Sequence, residues 1–253
     1  MMEDRLQKII ASRGYCSRRR AEQFMLEGRV KVDGKTITEL GSKFSTDCKI
    51  EINGKILLET TIKKYYIFYK PRCVVTTMFD PKKRKTVADF FKKEKIRLFP
   101  VGRLDYDVSG LLIMTNDGDF ANYISHPRYN FNKTYQALCD GEVSKQQITN
   151  LLSGVIIEDN YKAKANAAKI ISYDSKLNQS LISLTINEGH KHHVKNMLKS
   201  AFIELIKLKR TNIDILDLGN LKPGEFRSIT KEELSKLFGK IKIQNIGEKQ
   251  KWE

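Results

Sequence analysis

From Tyr65 onward the chain reads as short β-rich runs separated by turn signals, with few helices and no repeating strand-helix-strand rhythm. On that pattern a doubly wound parallel sheet is excluded. Tyr65 to Tyr69 is a buried strand stopped by Lys70-Pro71, and Leu111 to Thr115, Thr134 to Cys139 and Leu181 to Ile186 are further strands. The expected class is α+β, a mixed and mainly antiparallel sheet with flanking helices. Thr230 and Glu233 form a capping box for a last helix through Leu234, Leu237 and Phe238, which Gly239 should end.

A smaller unit of different rhythm precedes this one. Leu6, Ile9 and Ile10 repeat at helical spacing up to Gly14, and Ser17 is placed to cap a second helix with Ala21, Phe24 and Met25 on one face and Gly28 at its end. Asp33-Gly34 is a hairpin turn between Val30-Lys31-Val32 and Thr36 to Thr38, with Lys49 to Ile52 as another strand. The division expected is residues 1–60 as one domain, 61–239 as a larger one reached through a linker over Leu57 to Lys64, and 240–253 as a basic flexible tail.

Charge says what such a chain meets. The 253 residues hold 46 Lys and Arg against 30 Asp and Glu, a formal net charge of +16. A polyanion is implied, and nucleic acid fits best, because cations that neutralise phosphates release condensed counterions. A membrane-surface protein would concentrate its charge on an amphipathic helix. Arg18, Arg19 and Arg20 fill the first turn of the second helix, where the helix dipole opposes cations by up to ~1 kcal/mol each. Bound phosphates would relieve that conflict, and a solvated arginine cluster screened by salt is the alternative reading. No signal peptide or membrane span is expected, and Cys16, Cys48, Cys73 and Cys139 read as reduced thiols of a cytoplasmic protein rather than a disulfide or zinc framework.

Residues 101–119 carry the chemistry-bearing pattern: Val101-Gly102-Arg103-Leu104-Asp105-Tyr106-Asp107-Val108-Ser109-Gly110, then an apolar run ending in Thr115-Asn116-Asp117-Gly118-Asp119. Asp105 falls on a loop held by a rigid strand, a common place for a catalytic carboxylate. Spacing alone leaves it equally a turn residue, and Asp107 could do the same work.

The runs Gly102-Arg103-Leu104-Asp105, Ser109-Gly110-Leu111-Leu112 and Thr115-Asn116-Asp117-Gly118 resemble the signature of the rRNA pseudouridine synthases that act on single sites of the ribosomal subunits. The first sixty residues, with Ser17-Arg18-Arg19 and Glu27-Gly28-Arg29-Val30-Lys31-Val32-Asp33-Gly34, are similar to the S4 RNA-binding module that precedes the catalytic domain in this family. His126-Pro127 with Lys133-Thr134-Tyr135, and Leu208-Lys209-Arg210 with Leu221-Lys222-Pro223-Gly224-Glu225, also match in order. The resemblance implies conversion of a uridine to pseudouridine without a cofactor, in rRNA of a bacterial cytoplasm, by a monomer. It gives Asp105 the reaction, Tyr135 the stacking of a flipped base, and Lys195 the pairing with Asp105. Read alone, Tyr135, Ala137 and Cys139 alternate as an ordinary half-buried strand.

RNA contacts are expected at Arg5, Lys8, Arg18, Arg19 and Arg20 in the first unit and at Arg103, Lys133 and Arg210 in the second, with Arg210 weighed evenly against a structural role. Thr76-Thr77-Met78-Phe79-Asp80-Pro81 and Arg84-Lys85-Thr86-Val87 look more like the large-subunit (23S) branch than the small-subunit (16S) one. The chain departs from the family where His190 replaces an expected Arg, His193 an expected Gln, Asn196 a basic residue, and Cys73 a Gly. These departures keep open a non-catalytic, ribosome-associated RNA-binding protein. An S4-linked methyltransferase is disfavoured, since no Gly-rich strand-to-helix turn is present to cradle a nucleotide-like cofactor. No metal is expected at His190, His192 and His193, because adjacent histidines diverge on a regular backbone and no Asp or Cys lies beside them.

Overall fold

The computed structural model describes residues 3–58 and 62–249, without the side chains of Asp159 and of residues 242–249. The expected linker is thus described only at its two ends. Helices Leu6–Ser12 and Arg18–Leu26 pack on a sheet of order Lys35–Thr36, Val30–Val32, Ile50–Ile52, Lys55–Ile56, and Glu3–Arg5 pairs separately with Lys43–Ser45. Leu6, Ile10, Met25, Val30 and Ile50 close a core of their own, with Ala21 and Phe24 on the face their spacing assigned. Ser17 caps the second helix by accepting from Arg20 N at 3.1 Å, a contact of ~1 kcal/mol. Asp33 and Gly34 both take positive φ, 47° and 83°, as a two-residue hairpin turn requires.

Among the described residues nine strands form one large sheet. Its path runs Ala167–Asp174, Gln179–Ile186, Lys133–Asp140, Glu204–Ile213, Ser109–Thr115, Tyr65–Lys70, Phe226–Ser228, with Leu216–Asp217 and Phe99–Val101 paired alongside. Every pairing is antiparallel except that of Glu204–Ile213 with Ser109–Thr115, where Arg210 meets Gly110. That single parallel seam joins the two halves of the domain. The strand Ser109–Thr115 is apolar almost throughout because both of its faces are covered: Leu112 and Met114 enter one core with Tyr66 and Phe68, while Leu111 and Ile113 enter the other with Ile67 and Phe120.

The last helix is the largest departure from expectation. Its capping box forms, Glu233 N donating to Thr230 Oγ1 at 3.2 Å and Thr230 N to Glu233 Oε2 at 2.8 Å. Gly239, however, does not end it. The helix runs Lys231–Lys249, because Leu237 and Ile241 stand one turn apart and are both buried in the core beside Phe120, so burial outweighs the ~1 kcal/mol penalty of an internal glycine. A tail from residue 240 is therefore corrected to helix as far as Lys249.

Glu233 also binds Arg227 through both carboxylate oxygens, at 2.8 and 2.9 Å, and this guanidinium chiefly holds the carboxyl down to about 2. A depressed carboxylate stabilises the fold above its unfolded value near 4.5 and loses that contribution as pH falls towards 2. Glu233→Gln should cost about 1 to 2 kcal/mol at neutral pH, with the gap to wild type shrinking below pH ~4.5 in thermal melts.

Candidate active site

The loop from Gly102 to Val108 is shaped by residues that stop the first strand of the sheet. Lys70 is fully buried at the end of Tyr65–Lys70, and its ammonium donates to the carbonyls of Pro71 and Asp105 at 3.0 Å and of Val108 at 2.8 Å. Three carbonyls satisfy its three donors. Burial still pushes the amine down to about 8 against the pull of Asp105 and Asp107. Thr76 Oγ1 donates to Leu104 O and accepts from Leu104 N, Cys73 N donates to Tyr106 O at 2.7 Å, and Arg72 Nε donates to Asp107 O at 3.1 Å. Cys73 does so from a left-handed φ of 61°, a conformation that costs glycine least and so fits the glycine that the family resemblance leads one to expect here.

Asp105 projects from this loop with its side chain 35% exposed. Lys195, near the start of helix His193–Ser200, places Nζ 3.2 Å from Asp105 Oδ2 and 2.6 Å from Asp107 Oδ1. The lysine thus bridges two carboxylates that are two residues apart. Burial works to lower the Lys195 ammonium, yet the hydrogen bonds to Asp107 and Asp105 prevail and hold it above its ordinary value. Desolvation likewise works to raise Asp107, and the Lys195 hydrogen bond outweighs it, leaving that carboxyl below the usual range. His192 Nε2 lies 3.8 Å from Asp105 Oδ2.

Asp105 opens onto a cavity of about 540 Å³ whose walls include Tyr135, Lys133, Arg103, Lys195 and Arg210. Tyr135 and Lys133 sit on the central strand Lys133–Asp140, where Tyr135 opposes Leu184 on one side and Arg210 on the other. Tyr135 is a largely buried core residue at 8% exposure and at the same time a wall of the cavity. Lys133 donates to Phe131 O and Asn187 O at 3.3 Å, and burial first, then the charge of Arg210, pushes its amine down to about 8. Arg210 is buried, gives Nε to Leu111 O at 2.7 Å, and leaves one terminal guanidinium nitrogen without a partner among the described residues. Arg103 is exposed at the rim.

The cations of the first unit lie apart from this cavity. Arg5, Arg18, Arg19 and Arg20 are exposed, with Arg20 held over the Phe24 ring and bonded to Gln23. Lys8 is tied to Asp4 at 2.6 Å and to Asp119 at 3.2 Å, which spans the two units and offsets the charge this one lysine would offer RNA. Lys8 and Arg18 line a second cavity with Arg97 and Asp117.

Sequence reasoning missed Lys70 and Thr76, whose only sign is a polar residue closing or following an apolar strand. It also missed Glu188. His192 diverges from its neighbours as expected, but Glu188, two residues before the first histidine, joins His190 and His193 with donor atoms within 4.8 Å of one another.

Comparison with known proteins agrees with the geometry. The pattern of the family described as RNA pseudouridylate synthase matches residues 64–200, and that of the S4 domain matches residues 4–47. The chain is 45% identical over 234 residues to the ribosomal large subunit pseudouridine synthase B of Bacillus subtilis (strain 168), covering 92% of this chain and 95% of that protein. An uncharacterized RNA pseudouridine synthase of Aquifex aeolicus (strain VF5) is 40% identical over 99% of this chain and all of its own. Among solved structures, a pseudouridylate synthase superposes with a TM-score of 0.65 at 27% identity, over 92% of this chain and 99% of that one. With the family's pattern over more than half of its length and such relatives along nearly all of it, this chain belongs to the RNA pseudouridylate synthases.

Proposed function

We propose that the enzyme isomerises one uridine of the large-subunit (23S) rRNA, acting as a cytoplasmic monomer, with Asp105 as the reacting carboxylate. The observation that carries this reading is the shared cavity: Asp105, an aromatic wall at Tyr135, and Lys195 3.2 Å from the carboxylate converge on one space large enough for a flipped nucleotide. The reaction breaks the bond from N1 to C1′ and makes one from C5 to C1′, while a proton leaves C5 and N1 gains one. It is balanced without redox change.

A carboxylate can serve it as nucleophile or as acid and base. Lys195 acts as a positioning residue, fixing the direction of the Asp105 carboxylate through its 3.2 Å contact. Tyr135 stacks on the extruded uracil, and Lys133 and the Arg210 guanidinium, both on the cavity wall, supply donors to its carbonyls or to a flanking phosphate. Support for the large subunit comes from the name of the Bacillus relative.

The test uses purified protein with 23S and 16S rRNA carrying tritium at C5 of uridine. Release of about one tritium per 23S molecule and none from 16S is expected, and release confined to 16S overturns the assignment. Exposed Arg18, Arg19 and Arg20 are placed to track phosphates. Replacing all three by Ala should weaken RNA binding and flatten the plot of log K against log salt by roughly 2 to 3 in slope, measured by filter binding.

A further inference from the structure

Three features of the cavity rim belong to no step above. Glu188 ends the turn after strand Gln179–Ile186, His193 opens helix His193–Ser200, and His190 lies between them, with one donor atom from each within 4.8 Å of the others. His190 Nε2 stands 3.8 Å from Glu188 Oε2. Tyr161 hydrogen bonds to the same Glu188 oxygen and lies against the His190 ring, with centroids 4.2 Å apart, so an aromatic residue backs the pair.

His193 supplies the second, independent observation. Its ring is 5% exposed, its Nδ1 accepts from His190 N at 3.1 Å, and its buried Nε2 has no partner among the described residues. A buried polar atom without a partner loses its water and gains nothing in return, so an occupant that supplies the missing bond is favoured there.

From this geometry we infer that Glu188, His190 and His193 form a binding site for a divalent transition ion of the zinc class, beside and separate from Asp105. Two imidazoles and one carboxylate are the donor set for such an ion, whereas magnesium and calcium take oxygen alone. Three protein ligands leave the fourth position to water. Tetrahedral bonds of about 2.0 to 2.1 Å put donors roughly 3.3 Å apart, so the set contracts on loading. His193 must then carry its proton on Nδ1 and release the His190 amide, and the loop from Gly189 to His192, which carries His190, moves to absorb both changes. Lys133 is the nearby opposing cation, and the Glu188 carboxylate offsets it. His192, directed towards Asp105, is not a ligand.

Titration of the full-length protein with cobalt(II), a coloured stand-in for zinc, tests the site. One equivalent should bring up the intense visible bands of a four-coordinate ion, without the ultraviolet band of a cobalt thiolate, and one equivalent of zinc should bleach them. His190→Ala, Glu188→Gln and His193→Gln should each raise Kd by at least about 10-fold, while His192→Ala and His126→Ala leave it within about 2-fold. Should the buried His193 variant fail to fold by circular dichroism, His190→Ala and Glu188→Gln carry the comparison, since both side chains are partly exposed. The site is overturned if no such bands appear at one equivalent, if a thiolate band appears, or if His192→Ala weakens binding as much as His190→Ala does. Excess magnesium should leave the spectrum unchanged.

Discussion

Asp105→Asn should leave a folded protein that forms pseudouridine at least about 10³-fold more slowly than wild type. The amide keeps the volume of the carboxylate and removes its charge and its ability to attack or take a proton. Folding should be spared for a reason visible in the ion pairs. Lys195 keeps Asp107 at 2.6 Å when Asp105 is neutral, so no buried cation is stranded, and the change in stability should stay within about 1 kcal/mol. Single-turnover tritium release gives the rate and thermal melts give the fold. A loss of activity accompanied by a collapse in melting temperature would assign Asp105 a structural role instead, and an unchanged rate would remove it from the chemistry. Asp107→Asn is the informative companion, because it leaves the proposed reacting carboxylate in place while taking away the other half of the bridge.

Gly110→Ala should destabilise the fold by about 3 kcal/mol or more, although it adds a single methyl group. A Cβ at Gly110 would lie 2.1 Å from the carbonyl oxygen of Arg210 and 2.6 Å from its nitrogen, and the backbone there has φ +117°. The obstruction is backbone, which cannot swing aside as a side chain does. It also falls at the one parallel pairing of the large sheet, where Arg210 meets Gly110. Parting these strands would shift the guanidinium that lines the cavity and the loop that carries Asp105, so activity should fall with stability. At roughly 2 to 4 °C per kcal/mol for a chain of this size, the melting temperature should drop by about 6 to 12 °C, or the variant should be insoluble. A variant within about 1 kcal/mol of wild type would mean that the seam opens easily.

Local rules made the small unit legible. Ser17, Gly28 and Asp33-Gly34 act on their immediate neighbours, and helix spacing named Ala21, Phe24 and Met25 correctly. In the larger unit, periodicity located the strands Ser109–Thr115, Lys133–Asp140 and Gln179–Ile186 but not their order, since pairing Lys133–Asp140 with Glu204–Ile213 joins segments far apart in the chain. The last helix ran past Gly239 because its tertiary burial, invisible to a capping rule, outweighed local propensity.

The site shows the same division. Asp105 stood out in its loop, and family resemblance brought Tyr135 and Lys195 to it. The 3.2 Å from Lys195 to Asp105 agrees with that pairing, but the sharing of Lys195 with Asp107 could be read only from the folded chain. Lys70 was equally hidden. As a letter it marks the end of a strand, and only folding reveals that its three donors fix the turn on which Asp105 sits. Glu188 was passed over because its relation to His190 and His193 depends on how a turn meets a helix.

A pseudouridine map of all ribosomal RNA, made in cells that lack the gene and carry either the wild-type chain or Asp105→Asn, decides whether this carboxylate does the chemistry. Loss of one site in the 23S rRNA, restored by the wild-type chain and not by an equally abundant Asp105→Asn, is the predicted outcome. Restoration of that site by Asp105→Asn, or a map that does not change when the gene is removed, would contradict it.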